Sequence, residues 1–202
     1  MITININGRK VELPDDLAQQ IIQEHGVPQK TLADAVAGDT VKIGNFEMVV
    51  LEQLDGQTAL ILKGMYGEES EFGKENNAYD GSYVDQKCQA FAQELAEKIG
   101  WGNIVLHIVD LTSDDGLKDY GVIERRASLI TTDMYRKFVE ILDTCKPDRW
   151  WWLSTPHSTA RHENDRWVKC VSPSGCFYGD LYDGGGGVRP FCILKSNIFV
   201  SD

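Results

Sequence analysis

The stretch RWWWLSTPHSTARHENDRWVKC, residues 149–170, gathers the side chains best suited to chemistry, with two of the four histidines and four of the five tryptophans. His157 and His162 are five residues apart, which fits neither one face of a helix nor one side of a strand. With Glu163 and Asp165 beside them, a metal site is one alternative. The expected structure is a solvated polar loop, and we predict no metal and no cofactor.

A pair of thiols is the second candidate chemistry, because Cys170 and Cys176 flank the turn SPSG. If Val171 faces Cys176 across a hairpin, Cys170 points to the opposite face of that hairpin. Catalytic thiols are therefore not expected, and no catalytic residue is assigned. The sequence also lacks the GxSxG, P-loop, HExxH and dinucleotide motifs. The run DGGGG, without a strand-to-helix context, is expected to be a flexible loop.

Three consecutive tryptophans on a strand alternate between its faces, so Trp151 points one way while Trp150 and Trp152 point the other. We assign Trp151 and Trp152 to structural roles. Arg189 stands among apolar residues before Pro190. It is expected to be buried and paired with a carboxylate or with carbonyl oxygens, and so to be structural.

The polar loop and the hairpin after it carry side chains suited to binding. Aromatic rings supply contact area, while Arg, His and Asn supply adaptable hydrogen bonds. This composition predicts non-enzymatic binding of a protein or glycan ligand. The predicted ligand-binding residues are His157, Arg161, His162, Asn164, Trp167, Phe177, Tyr178 and Tyr182.

Composition restricts the partners. The 202 residues include 20 Lys and Arg against 31 Asp and Glu, a net charge of −11, which repels a nucleic-acid backbone. No apolar run is long enough to predict an export signal, an anchor or membrane insertion. Five cysteines, an odd number without a CxxC pair, favour reduced thiols. The expected location is the cytoplasm or a virion.

Two domains are predicted. Residues 1–31 form an appendage, with a hairpin turning at Asn7-Gly8 and a helix from Pro14 to His25 that stops at Gly26. This appendage is expected to dock to a partner or to a second copy of the chain. Residues 32–202 form the main domain.

The main domain opens with a three-strand meander over 40–63, turning at Asp55-Gly56, followed by an acidic surface loop over 64–82. Ser82 is expected to cap an amphipathic helix that runs to Ile99.

The strand NIVLHIVDL comes next, with His107 inside it as a hydrogen-bonded core residue. Thr132 is the expected cap of a second helix. From Arg149 the chain is strand and turn, with a hairpin around residues 172–175. The last strand, 188–194, is predicted to lie beside the tryptophan strand.

The motifs WWLSTP (151–156) and GVRPFCIL (187–194) resemble those of an uncharacterised bacterial and phage domain family whose members carry a WWLRSP-like strand and then GVRPAL. The segments GDTVKIGNFEMVVLEQLDGQTALIL, DLTSDDGLKDYG and RRASLITTDMYRKF extend the resemblance over about residues 36–196. Ser154 replaces the usual arginine, and Phe191-Cys192 replace Ala-Leu. The resemblance therefore implies no function that needs that arginine.

That family is similar to the C-type-lectin-like fold of formylglycine-generating enzymes and of diversity-generating retroelement variable proteins. The resemblance implies an α+β fold in which two helices brace small twisted antiparallel sheets. It also implies that loop residues between the two motifs face a ligand. The expected function is a phage-related, non-enzymatic ligand- or receptor-binding protein with a variable surface. The alternatives are an enzyme related to the formylglycine-generating oxidases and a phage-encoded inhibitor of a host protein.

Overall fold

The computed structural model describes residues 2–6, 9–17 and 30–201. Their fold is α+β: antiparallel strands pack with the helices Tyr83–Ile99 (α1) and Thr132–Thr144 (α2). The strands are β1 Ile2–Ile6, β2 Arg9–Leu13, β3 Thr40–Ile43, β4 Phe46–Leu54, β5 Gln57–Leu62, β6 Ser70–Glu71, β7 Ile104–Val105, β8 His107–Asp110, β9 Val122–Arg125, β10 Ala127–Ser128, β11 Trp151–Pro156, β12 Trp167–Val171, β13 Phe177–Leu181, β14 Gly185–Gly186 and β15 Phe191–Lys195.

The N-terminal hairpin is present, since β1 and β2 pair antiparallel from Ile2 opposite Leu13 to Ile6 opposite Arg9. The predicted turn, Asn7-Gly8, lies outside the described residues. Residues 15–17 are helical, and the rest of the helix predicted to His25 also lies outside the described part of the chain.

The largest sheet has the order β10-β15-β5-β4-β3, and β7 pairs with β15. The predicted meander is confirmed, because β3, β4 and β5 pair in sequence. Gly56 has a φ of +66° at the predicted second turn, a conformation that L side chains rarely adopt.

The prediction for the last strand is wrong. β15 lies between β5 and β10 in the large sheet, with Phe191 opposite Ile61 and Cys192 opposite Ala127. The contact with the tryptophan strand comes from Gly187 instead, which forms a parallel bridge to Trp151. An apolar strand buries equally well in either sheet, so the pattern of residues does not choose its neighbours.

The DGGGG run is structured, which corrects the expectation of a flexible loop. Its second and third glycines, Gly185 and Gly186, form β14, which pairs with β6. Gly186 is buried against Trp152, where a Cβ atom would lie 2.7 Å from the indole nitrogen. Glycine is therefore required there for close approach, and the indole Nε1 donates to the Ser70 carbonyl at 2.9 Å.

Both predicted helices form. Ser82 caps α1 and accepts a hydrogen bond from the Asp85 amide. The cap of α2 is Thr131, one residue before the predicted Thr132, because the Thr131 hydroxyl accepts from the Met134 amide at 3.1 Å. Thr132 is buried as the first helical residue.

The predicted strand around His107 is divided into β7 and β8, and Ile108 is 69% exposed, so the strand is not buried throughout. His107 itself is half-buried. Its Nε2 lies 2.9 Å from the Ser128 hydroxyl, and its ring packs edge-on against Phe191.

The acidic segment 64–82 is only in part a surface loop. It buries the side chains of Phe72, Asn77 and Tyr79 completely. These three side chains anchor the segment in the domain.

β11 is buried along its whole length and separates two apolar clusters. Trp151 packs with Tyr135 and Val171 in one cluster, and Trp152 packs with Phe72 in the other. Trp150, just before the strand, is 43% exposed. The predicted alternation of faces and the structural roles of Trp151 and Trp152 agree with this packing.

Arg189 is fully buried, and its partners are carbonyl oxygens, as one of the two predicted alternatives stated. Its Nε donates to Leu62 O at 2.7 Å and its Nη2 to Cys145 O at 3.1 Å. The guanidinium lies over the Trp151 ring, 5.3 Å from its centre. Arg189 therefore ties β5 and the end of α2 to β11.

Replacing Trp151 with alanine should lower the free energy of unfolding by about 3–5 kcal/mol, because the change empties a large buried site. Trp150→Ala is the matched control: it removes the same side chain from a neighbouring, partly exposed position and should cost much less. Urea titrations of the two variants measure the difference. Equal losses would show that the core does not depend on the inner tryptophan.

The His107 imidazole gives a pH test, because burial lowers its pKa from 6.5 to about 4. Between those values the unfolded chain holds a proton that the folded chain lacks, so stability falls as pH drops, by up to roughly 1.4 kcal/mol per pH unit. His107→Gln removes this term. The stability gap between the parent protein and the variant should therefore shrink from pH 7 to pH 4.5 in denaturant titrations. A constant gap would contradict the assignment.

Candidate functional site

A polar cleft of about 220 Å³ opens at the N-terminal end of α2. Hydroxyl and carboxyl groups dominate its lining, and one guanidinium joins them. The lining residues are Asp110, Thr112, Ser113, Asp114, Thr131, Thr132, Asp133, Arg136 and Thr155.

The floor of the cleft is a junction between α2 and β11. The Thr155 hydroxyl, at the end of β11, accepts from the Thr132 amide at 2.9 Å and lies 3.3 Å from the Thr132 hydroxyl. At the preceding residue of β11, the Ser154 amide donates to Ile130 O, two residues before α2 begins. These bonds hold the first turn of the helix against a strand that is buried on both faces.

One wall is the turn that follows β8. The Asp110 carboxylate accepts from the Thr112 hydroxyl at 2.6 Å and from the Thr112 amide at 2.9 Å. These two bonds lower the pKa of Asp110. The Ser113 hydroxyl accepts from the Leu117 amide and closes the turn. The wall therefore presents a carboxylate that is ionised at neutral pH.

Charged groups continue across the rim. The Asp114 carboxylate lies 2.8 Å from Lys169 Nζ and 3.7 Å from Arg136. Arg136 also pairs with Asp133 at 2.7 Å, and its guanidinium lies over the Phe177 ring at 5.3 Å. The rim thus offers hydrogen-bond donors and acceptors side by side.

The hairpin β12–β13 provides an aromatic neighbour to this rim. Lys169 is opposite Gly179 and Val171 is opposite Phe177, so Trp167, Lys169 and Phe177 share one face. Trp167 is 42% exposed and stands two residues from Lys169, which contacts Asp114. The hairpin around residues 172–175 is confirmed, with a register one residue different from the Val171–Cys176 pairing considered from sequence.

The structure divides the predicted ligand-binding residues between surfaces. Tyr178 lies on the hairpin face opposite Trp167 and packs edge-on against Trp150, with ring centres 4.9 Å apart. Tyr182 is partly buried, and its backbone bonds to Arg166 and Phe72. Trp167 and Phe177 are the predicted aromatic residues on the cleft side.

The predicted polar residues lie on the segment 157–164, behind the cleft wall. Arg161 pairs with Asp119, and His162 Nδ1 lies 2.9 Å from the Asp115 carboxylate. The backbone amide of His157 donates to Trp167 O, and that of Asn164 donates to Thr159 O.

Asp115 is the anchor between this segment and the cleft wall. Its carboxylate accepts from the hydroxyls of Ser113 at 2.5 Å and Ser158 at 2.6 Å. These hydrogen bonds, with a smaller contribution from His162, hold its pKa well below the usual range. Ionised Asp115 therefore ties the segment to the 110–121 turn.

Buried Asn77 also holds the segment 157–164 in place, although sequence analysis assigned this residue to a surface loop. Its Nδ2 donates to Ser158 O at 3.0 Å and to Trp167 O at 2.8 Å, while its Oδ1 accepts from the Tyr120 hydroxyl. One buried amide thus connects three segments around the cleft.

The thiols do not form a reactive pair at this site. Cys170 is buried, which raises its pKa to about 12, and Cys176 is exposed at the turn. All five cysteines are free. Within the described ranges, His, Cys, Asp and Glu side chains form no group of three or more placed to hold a metal ion.

Sequence analysis missed the cleft residues themselves. The segments DLTSDD and TTD do carry a signal, since acidic and hydroxyl side chains cluster directly after a strand and before a helix. Nothing in the sequence indicates that the two segments meet.

No helix in the described part of the chain is long and apolar enough to cross a membrane. No family model, curated protein or solved structure matches this chain.

Replacing Asn77 with alanine should destabilise the protein by on the order of 3 kcal/mol, because three polar partners at buried and partly buried positions lose a hydrogen bond. Hydrogen exchange should become faster at residues 157–167 before it does so in the large sheet. Asn45→Ala, at an exposed turn, is the control and should change neither quantity. Unchanged exchange at 157–167 in the Asn77 variant would refute the anchoring role.

Proposed function

We propose that this chain is a non-enzymatic binding protein whose ligand places a polar group in the cleft at the start of α2 and rests against Trp167. The observation that carries the proposal is the cleft itself, in which hydroxyls, carboxylates and a guanidinium line one recess beside an exposed indole. Recognition of this kind needs positioned polar groups and an aromatic surface, and it needs no nucleophile.

A hydroxyl-rich ligand suits this lining, whether it is a glycan or the polar surface of a protein. Hydroxyl groups both donate and accept, so they match a rim on which Asp133 and Asp114 accept while Arg136 and Lys169 donate. The volume of about 220 Å³ is small for a ligand pocket, which favours one sugar ring or a few side chains over a larger molecule.

The C-type-lectin-like assignment is part of the proposal. Its support is the resemblance of WWLSTP and GVRPFCIL to the bacterial and phage family, together with an α+β architecture in which two helices pack with small antiparallel sheets. Binding through surface residues does not require the arginine that the family usually carries at the position of Ser154.

The test uses the purified protein on a glycan array and against a displayed peptide library, followed by titration of the best-bound probe. Trp167→Ala and Asp133→Asn should each weaken binding of that probe about tenfold or more, because a hot-spot side chain contributes about 2 kcal/mol or more and tenfold corresponds to about 1.4 kcal/mol. Thermal melts should confirm that both variants remain folded.

Tyr178→Ala is the matched control, since it removes an exposed aromatic ring from the opposite face of the same hairpin. It should leave probe affinity within about twofold of the parent. Loss of binding in the Tyr178 variant with full retention in the other two would move the site to the Trp150–Tyr178 face.

A further inference from the structure

The guanidinium of Arg189 is a buried cation without a carboxylate partner among the described residues. Its hydrogen bonds go to Leu62 O, Cys145 O and Cys145 Sγ, and its Nη1 has no hydrogen-bond partner in the described part of the chain. Burial lowers its pKa. A charge held out of water is costly unless an opposite charge or a full set of hydrogen bonds offsets the lost hydration.

Cys145 is the one ionisable side chain bonded to this cation in the described structure. Its Sγ lies 3.1 Å from Arg189 Nη2, at the C-terminal end of α2. The same Sγ donates to the carbonyls of Ile141 and Leu142, at 3.5 and 3.6 Å. Reactive cysteines in proteins lie in electropositive, partially exposed surroundings of this kind. Cys145 itself is partly exposed.

The other four cysteines differ from Cys145 in their burial and in their charged neighbours. Burial raises the pKa of Cys88, Cys170 and Cys192 to about 12, so these three are inert at neutral pH. Cys176 is exposed, and the described structure shows no cationic side chain bonded to it. Accessibility alone would therefore make Cys176 the most reactive thiol, whereas the Arg189 contact favours Cys145.

We propose that Cys145 is an oxidation site for hydroperoxides, with Arg189 as the group that holds the oxidised sulfur. The Sγ thiolate attacks one peroxide oxygen, an S–O bond forms and the O–O bond breaks. The leaving oxygen takes up the proton of the attacked oxygen and departs as water or alcohol, so sulfur loses two electrons, the peroxide gains them and a sulfenate remains. The new sulfenate oxygen lies beside the same guanidinium, whose Nη1 supplies an unused donor.

The experiment treats the intact, reduced protein with hydrogen peroxide in the presence of dimedone, which traps sulfenic acid, and follows each cysteine by peptide mass spectrometry. Cys145 should acquire the adduct at least several-fold faster than Cys176, although Cys176 is more exposed. In urea the two rates should become similar, because the contact with Arg189 is lost. Equal or slower labelling of Cys145 in the folded protein would overturn the proposal.

Arg189→Met tests whether the guanidinium causes the faster reaction of Cys145. Arg189→Lys is the second variant, which keeps the positive charge but lacks the planar guanidinium. The Met variant should bring the Cys145 rate down to that of Cys176, and the Lys variant should retain part of the advantage. If neither variant folds, the comparison of the folded and urea-treated parent protein still decides the question. A full Cys145 advantage in a folded Met variant would also overturn the role of Arg189.

Discussion

The burial of β11 on both faces is the constraint on which the rest of this structure depends. A strand with Trp151 on one side and Trp152 on the other must be covered twice, and the chain supplies a separate apolar cluster for each ring. The Trp152 indole also needs a hydrogen-bond acceptor inside, which Ser70 O provides. The segment 64–82 and the glycine run are consequently drawn inward over this ring.

Helix α2 is linked to the tryptophan strand β11 at both of its ends. Its first turn is bonded to Thr155 of β11, which forms the floor of the polar cleft. Its last residues meet Arg189, whose guanidinium lies on the Trp151 ring. The cleft and the Cys145 thiol are thus at opposite ends of one helix, and both rest on the tryptophan strand. Both positions are therefore held by a buried strand rather than by a free loop.

Local signals predicted local structure well. The Asp55-Gly56 turn, the Ser82 cap and the 172–175 hairpin each depend on a few neighbouring residues, so the sequence contains what determines them. Arg189 was also predictable, because a charged side chain among apolar neighbours must find polar partners. Two predictions failed because they involve distant segments: the position of β15 and the burial of Asn77. The cap of α2 is a local error of one residue, with Thr131 in place of Thr132.

The candidate site shows the same limit. Trp167 and Phe177 could be selected from residue type, but the cleft needs Asp110 and Asp133, which are brought together across 23 positions by packing. By itself, the sequence determined the Asp55-Gly56 turn, the Ser82 cap and the buried tryptophans, because periodicity and turn chemistry act over a few residues. Only the tertiary structure decided which strands are neighbours, which aromatic face adjoins a polar recess, and which thiol meets a buried cation. These features depend on contacts between segments far apart in the chain. The hydrophobic free energy of such contacts is similar for many alternative pairings, so the sequence pattern alone does not select one.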